Sequence, residues 1–180
     1  MKKWIAAIDP GVSAGALVII TGENGNIIIK EVLVKNPSGG LDLKILSETI
    51  KEYNELWKPI WYLEKIHAIF GTGKGSMFTM AEGFGAIQGI LTATECDWHF
   101  VTPKDWQKKV IAAEDIVLKD PGAKRKVRDT KATALNAAKR LFPEVDFRYG
   151  QNEETKGDRR TKPHSGLIDA TLIAYSQLGN

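Results

Sequence analysis

Ile5-Ala6-Ala7-Ile8-Asp9-Pro10-Gly11 is a short apolar run that ends in a carboxylate and a turn dipeptide, the pattern of a buried strand that delivers an acid to the edge of a sheet. The same order returns in Ile60-Trp61-Tyr62-Leu63-Glu64. A third acid, Asp169, follows His164-Ser165-Gly166-Leu167-Ile168, a stretch that reads as the opening of a helix. Two strands that each end in an acid, and a later helix that bears a third, suggest a divalent-metal site assembled from distant parts of the chain. That arrangement points towards phosphodiester chemistry.

Outward from these runs, residues 4–8, 16–21 and 27–34 read as three strands, the last two joined by the hairpin turn Gly22-Glu23-Asn24-Gly25-Asn26. The chain therefore opens as an antiparallel meander. Residues 41–57 carry Leu43, Leu46, Ile50, Tyr53 and Trp57 at helical spacing, and Pro59 stops that helix before a strand over 60–63. A second helix is predicted over 76–95 and a fifth strand over 98–102. Thr102-Pro103 then supplies an N-cap and a proline at the first helical position. Further helices are predicted over 130–142, which Pro143 ends, and over 165–178; residues 149–163 read as a loop. The expectation is one α/β domain over residues 1–180, built on a five-stranded mixed sheet. A three-stranded antiparallel meander and two parallel strands make up the sheet, with helices flanking it.

The 180 residues are 43% hydrophobic, enough for one substantial core. No run approaches the roughly 18 apolar residues of a membrane span, so no membrane partner is expected and the cytoplasm is the expected compartment. The single cysteine, Cys96, has no second cysteine with which to form an internal disulfide or share a zinc ion. Net charge is only +3, but it is segregated. Residues 104–131 carry nine basic groups (Lys104, Lys108, Lys109, Lys119, Lys124, Arg125, Lys126, Arg128 and Lys131) against five acids, and residues 156–162 carry Lys156, Arg159, Arg160 and Lys162 against Asp158 alone. A polyanion-binding face has this distribution, although a solvated helix face and a loop would share it.

If the strands that end in Asp9 and Glu64 are neighbours, about 4.8 Å apart, their carboxylates can share a cation. Asp169, near the start of its helix, gains from the positive end of the helix dipole. Hard oxygen ligands in an open cluster suit Mg²⁺ or Mn²⁺. Two such ions about 3.5 to 4 Å apart activate a water and stabilise a leaving 3′-oxygen.

Ile8-Asp9-Pro10-Gly11-Val12-Ser13, the strand-borne Glu64, Thr102-Pro103-Lys104-Asp105-Trp106-Gln107-Lys108-Lys109, Ala138-Lys139-Arg140-Leu141-Phe142-Pro143 and Gly166-Leu167-Ile168-Asp169-Ala170-Thr171-Leu172-Ile173-Ala174 together resemble the RuvC family of Holliday junction resolvases, within the ribonuclease H-like superfamily. The match runs in order over nearly the whole chain and looks closest to the phage and chloroplast-type branch. The resemblance implies a homodimeric endonuclease that nicks two opposed strands of a four-way junction, uses two Mg²⁺ ions and leaves 5′-phosphate ends. It implies Asp9, Glu64 and Asp169 as metal ligands, with a fourth ligand just before Asp169. Many bacterial relatives place that ligand three residues before, where this chain has Gly166. The five-residue offset of the chloroplast-type branch falls on His164, which becomes the candidate, with Asp158 as the alternative.

In such relatives the loop after the strand-borne Glu enters the junction, with an aromatic stacked on bases. Here the candidates are Phe70 and Phe78; Phe78, at helical spacing, reads as core. Lys74 is placed to touch phosphate. Gly71-Thr72-Gly73-Lys74-Gly75-Ser76 lacks the GxxxxGK[ST] spacing of a nucleotide loop. Gly83, Gly85 and Gly89 inside a predicted helix each cost about 1 kcal/mol relative to alanine, so they serve close approach, either to a second copy or to the chain's own sheet. Three other functions fit parts of the pattern. They are a ribonuclease H-like nuclease with another substrate, a non-catalytic junction-binding protein, and an actin-like phosphotransferase, for which 180 residues are too few.

Overall fold

The structure, a computed structural model, describes residues 3–12, 14–66, 73–119, 122, 126–148 and 162–179. Its elements in chain order are β1 (Trp4–Asp9), β2 (Ala16–Thr21), β3 (Ile27–Val32), α1 (Leu43–Trp57), β4 (Ile60–Glu64), α2 (Lys74–Ala93), β5 (Trp98–Val101), α3 (Pro103–Val110), a 3-10 turn (Ala113–Asp115), β6 (Leu118–Lys119), β7 (Val127–Arg128), α4 (Thr130–Leu141) and α5 (Ser165–Tyr175). The main sheet runs β3-β2-β1-β4-β5. β1 and β3 flank β2 antiparallel, while β4 pairs parallel with both β1 and β5. This is the mixed five-stranded sheet expected from the sequence. The separate β6–β7 ribbon was not, because two residues per strand carry no readable period.

Local chemistry sets the boundaries. Asp42 caps α1 by accepting the Ile45 N–H at 3.1 Å, so the helix starts two residues after Leu41. It ends where Lys58 turns left-handed at φ 45° before Pro59. Thr102 Oγ1 accepts the Asp105 N–H at 3.2 Å, and Pro103 takes the first turn of α3. In the β2–β3 hairpin the positive φ of 72° falls on Gly25, where no Cβ opposes it.

β1 is central, so both of its faces are buried and its sequence is a continuous apolar run. Ile5 and Ala7, with Val18 and Ile20 of β2, pack under α3, α4 and α5. Ala6 and Ile8, with Leu17 and Ile19, pack under α1 and α2. The result is a three-layer α/β/α sandwich. α5 lies between the sheet and the α3–α4 pair, which is why it is apolar nearly all round rather than striped. Beyond it, Arg140 of α4 donates to the buried Asp115 (Nη2 to Oδ2, 2.7 Å) and to the Val110 carbonyl (2.8 Å), tying the end of α3 to α4. That guanidinium holds the Asp115 carboxyl below the ordinary carboxylate range.

The first turn of α5 meets the β1–β2 turn backbone to backbone. A Cβ on Gly166 would overlap the Ala14 carbonyl oxygen and stand 2.8 Å from its carbon. Glycine is thus required here by proximity rather than by backbone angle. Gly166→Ala is expected to lose about 3 kcal/mol of stability, read as a lower urea midpoint. An unchanged midpoint would mean that α5 does not sit this close to the turn.

Candidate metal centre

Asp9 and Glu64 are the last residues of adjacent parallel strands, one register step beyond the Ile8–Leu63 pair. Side-chain alternation puts Asp9 on the face of Ile5 and Ala7, and Glu64 on the face of Tyr62; both faces pack against the core that holds α5. The ideal Cβ position of Gly166 lies 3.1 Å from Asp9 Oδ2. Asp169, three residues along the same helix, lies on the same side one turn further. The sheet edge and α5 therefore bring together all three acids singled out in the sequence.

Each carboxylate is held differently. Asp9 Oδ1 accepts the Gly11 N–H at 3.0 Å, and Glu64 Oε1 accepts the Trp106 indole Nε1–H at 2.7 Å. Asp169 has no hydrogen bond or ion pair among the described residues. Burial, then repulsion from Glu64, pushes Asp9 up to about 7 against the lowering effect of the Gly11 N–H. Burial raises Glu64, and the Trp106 bond offsets part of that. Burial, then the charges of Asp9 and Glu64, pushes Asp169 up to about 8, with Lys131 opposing from beyond ion-pair distance.

Burial raises all three acids, and neighbouring carboxylates raise Asp9 and Asp169 further, the condition a hard cation relieves. An all-carboxylate donor set fits Mg²⁺ or Mn²⁺ rather than a thiolate-seeking metal. Among the described residues no three His, Cys, Asp or Glu side chains close around one point.

His164 is the N-cap of α5. Its Nδ1 accepts the Leu167 N–H at 3.2 Å, while its backbone N–H donates to the Phe147 carbonyl at 2.8 Å. Capping occupies Nδ1, so a cation could take that nitrogen only by releasing the cap. Gly166 has no room for a side chain, so a ligand at the three-residue offset is sterically barred here. Trp106 is the partner of Glu64 that the sequence did not disclose. It is nearly fully buried, and nothing in the local sequence announces a contact across 42 residues.

Arg128 and Lys131 line a cavity of about 230 Å³ together with Glu64 and Asp169. Lys104, Lys108 and Lys109 are exposed along α3, Lys126 is exposed before β7, and Lys74 is exposed at the start of α2. Phe70, Lys124, Arg125, Asp158, Arg159 and Arg160 lie outside the described residues, as does most of the predicted 149–163 loop. Phe78, expected in the core, is instead 71% exposed. The buried stripe of α2 is Gly83, Ile87 and Leu91, and a residue five before Gly83 falls on the opposite side. Close approach within the chain is seen at Gly83 alone of the three glycines. A Cβ on Gly83 would stand 3.2 Å from Val12 Cγ2, whereas Gly85 and Gly89 meet nothing within 4 Å.

The sequence matches no protein-family model and no curated protein. The fold is similar to that of Thermus thermophilus RuvC in complex with a Holliday junction substrate, with a TM-score of 0.60 and 13% identity over 97% of this chain and 91% of that one. It is also similar to a Thermus thermophilus RuvC structure, with a TM-score of 0.57 and 14% identity over 96% and 92%. The chain has the ribonuclease H-like fold of these RuvC neighbours.

Because Asp9 and Asp169 titrate near 7 and 8 when folded and near 3.9 when unfolded, the metal-free folded state holds extra protons between about pH 4 and 8. Its stability therefore falls as pH rises through that window. In EDTA the melting temperature is expected to be higher at about pH 5.5 than at about pH 8.5. Mg²⁺ should raise it more at the higher pH, and Asp169→Asn should flatten both effects. Equal Mg²⁺ stabilisation at the two pH values would count against a shared cation site. Trp106→Phe keeps the ring but deletes the donor to Glu64, and is expected to weaken Mn²⁺ binding about tenfold by calorimetry. Wild-type affinity in that variant would remove Trp106 from any positioning role.

Proposed function

We propose that this chain is a divalent-metal-dependent endonuclease of branched DNA that resolves four-way junctions by nicking two opposed strands, as a cytoplasmic homodimer of the phage and chloroplast-type branch. The observation that carries the reading is the convergence of Asp9, Glu64 and Asp169 on one edge of a ribonuclease H-like sheet. A fold neighbour, Thermus thermophilus RuvC, is known in complex with a Holliday junction substrate, which favours branched DNA as the polymer.

Asp9, Glu64 and Asp169 would hold the cation, with His164 as the fourth donor. The bound metal, Mg²⁺ or Mn²⁺, supplies the Lewis acidity that activates water and stabilises the departing 3′-oxygen. The chain's own groups prepare that place. The Gly11 N–H fixes one oxygen of Asp9, and the Trp106 indole fixes one of Glu64. Packing of α5 against the β1–β2 turn sets Asp169 opposite them. Lys104, Lys108 and Lys109 present positive charge along the exposed side of α3, where phosphate contacts make affinity fall steeply with salt. The open face of α2 at Gly85 and Gly89, beside exposed Phe78, suits a second copy, which would offer two sites to a two-fold-symmetric junction.

The test is cleavage of a labelled immobile four-way junction against linear duplex, flap and RNA–DNA hybrid, with Mg²⁺ or EDTA. Paired nicks at the junction are expected only with metal, reduced about 10³-fold or more in Asp9→Asn. Preferential cutting of hybrid or flap would keep the metal centre and overturn the substrate. Tight junction binding without any cutting would make the chain a scaffold.

A further inference from the structure

α3 is eight residues long, too short to hold its place by helical stability alone, yet it carries the Trp106 indole that donates to Glu64 Oε1 at 2.7 Å. A polar stripe on α4 anchors the chain that follows that indole. Thr133, Asn136 and Arg140 recur at helical spacing on one face. Thr133 Oγ1 accepts the Val117 N–H at 3.1 Å, the Asn136 amide donates to the Asp115 carbonyl at 3.2 Å, and Arg140 Nη2 donates to the Val110 carbonyl at 2.8 Å. Arg140 also grips the Asp115 carboxylate, with Nε 3.1 Å from Oδ1 and Nη2 2.7 Å from Oδ2. Asp115 Oδ2 accepts the Ala112 N–H in turn, at 2.8 Å. Val110 lies one turn after Trp106 on the buried side of α3, so a shift at its carbonyl is passed to the indole.

A buried ion pair is a weak source of stability, because desolvation offsets its Coulombic gain. Its value lies in direction: a guanidinium fork fixes its partners in place, which apolar packing does not. Both helices it joins border the metal centre. α3 contributes Trp106 and Gln107 to the cavity that holds Glu64 and Asp169, and α4 contributes Lys131 and Ala134. We propose that Asp115 and Arg140 are positioning residues for the metal centre, which hold the end of α3 so that the Trp106 indole keeps Glu64 Oε1 in place. This role presupposes the cation site of the nuclease reading above and extends its support to a pair outside the cavity.

The experiment replaces both partners at once, Asp115→Asn with Arg140→Met, so that no charge is left buried alone. Two signals are read: the ¹H–¹⁵N resonance of the Trp106 indole without metal, identified by its absence in Trp106→Phe, and Mn²⁺ affinity by calorimetry. The indole resonance is expected to move upfield as its bond to Glu64 weakens, and Mn²⁺ affinity to fall about threefold to tenfold. Added to Trp106→Phe, the same replacement should cost no further affinity, because its path runs through the deleted donor. A full further loss in that background, or a wild-type indole resonance in the folded double variant, would overturn the role. Arg140→Lys keeps the charge and loses the fork, and its indole should move in the same direction at a near wild-type melting temperature. An unmoved indole there would overturn the role equally, and this variant decides the matter if the double replacement does not fold. Junction cleavage by the same samples separates the two readings. A displaced indole in a protein whose wild type cuts no DNA would defeat the nuclease reading alone. An unmoved indole in a protein whose wild type nicks junctions would defeat the role of the pair alone.

Discussion

The close approach of Gly166 to the Ala14 carbonyl is the contact on which the acidic centre depends. β1 and β4 put Asp9 and Glu64 side by side through strand pairing alone, but Asp169 arrives on a helix more than 100 residues later. Only a helix that begins with almost no side chain can lie flat on the β1–β2 turn, and that turn is itself compressed. A Cβ on Gly15 would overlap the Gly11 carbonyl oxygen. Two glycines therefore convert a strand, a tight turn and a helix N-terminus into one rigid unit, and the apolar flanks of α5 lock it between the sheet and α3–α4.

What this unit creates is electrostatically unfavourable without a cation. Burial raises all three acids, repulsion adds to it at Asp9 and Asp169, and the groups that oppose the shifts are an amide N–H, an indole N–H and a lysine at a distance. A structural ion-pair network looks different, as Asp115 shows: buried, bonded by two nitrogens of Arg140, and lowered rather than raised. The contrast within one molecule is a physical argument for function at Asp9, Glu64 and Asp169, because strain of this kind persists where the surrounding packing maintains it.

Much of this was legible in the residues. β1 and β4 declared themselves as apolar runs that end in acids, and Pro103 after Thr102 marked the start of α3. The hairpin sequence gave the β2–β3 turn. Several element ends differ from expectation by one to three residues, those of β3 and α5 among them. β3 stops at Val32 rather than residue 34, although the Leu33 N–H still bonds the Gly15 carbonyl at 3.0 Å, in register with the Ala16–Val32 pair. α5 stops at Tyr175 because the chain turns through Ser176 and Gln177. Periodicity misled at Phe78, since the small Gly83 and not the aromatic faces the core. Trp106 on Glu64 and Arg140 on Asp115 were invisible, because partnership between distant side chains leaves no local pattern. His164 was singled out as a ligand from a resemblance, and its cap on α5 depends on a backbone geometry that the sequence does not spell out.

The most direct measurement is a crystal structure of the protein soaked in Mn²⁺, with anomalous scattering used to locate the metal. The account predicts a peak bounded by the carboxylates of Asp9, Glu64 and Asp169. Mn²⁺ bound only elsewhere, for example in the larger polar cavity lined by Glu55, Glu95 and Asp97 at the opposite end of β4, with the three acids unmoved, would contradict it.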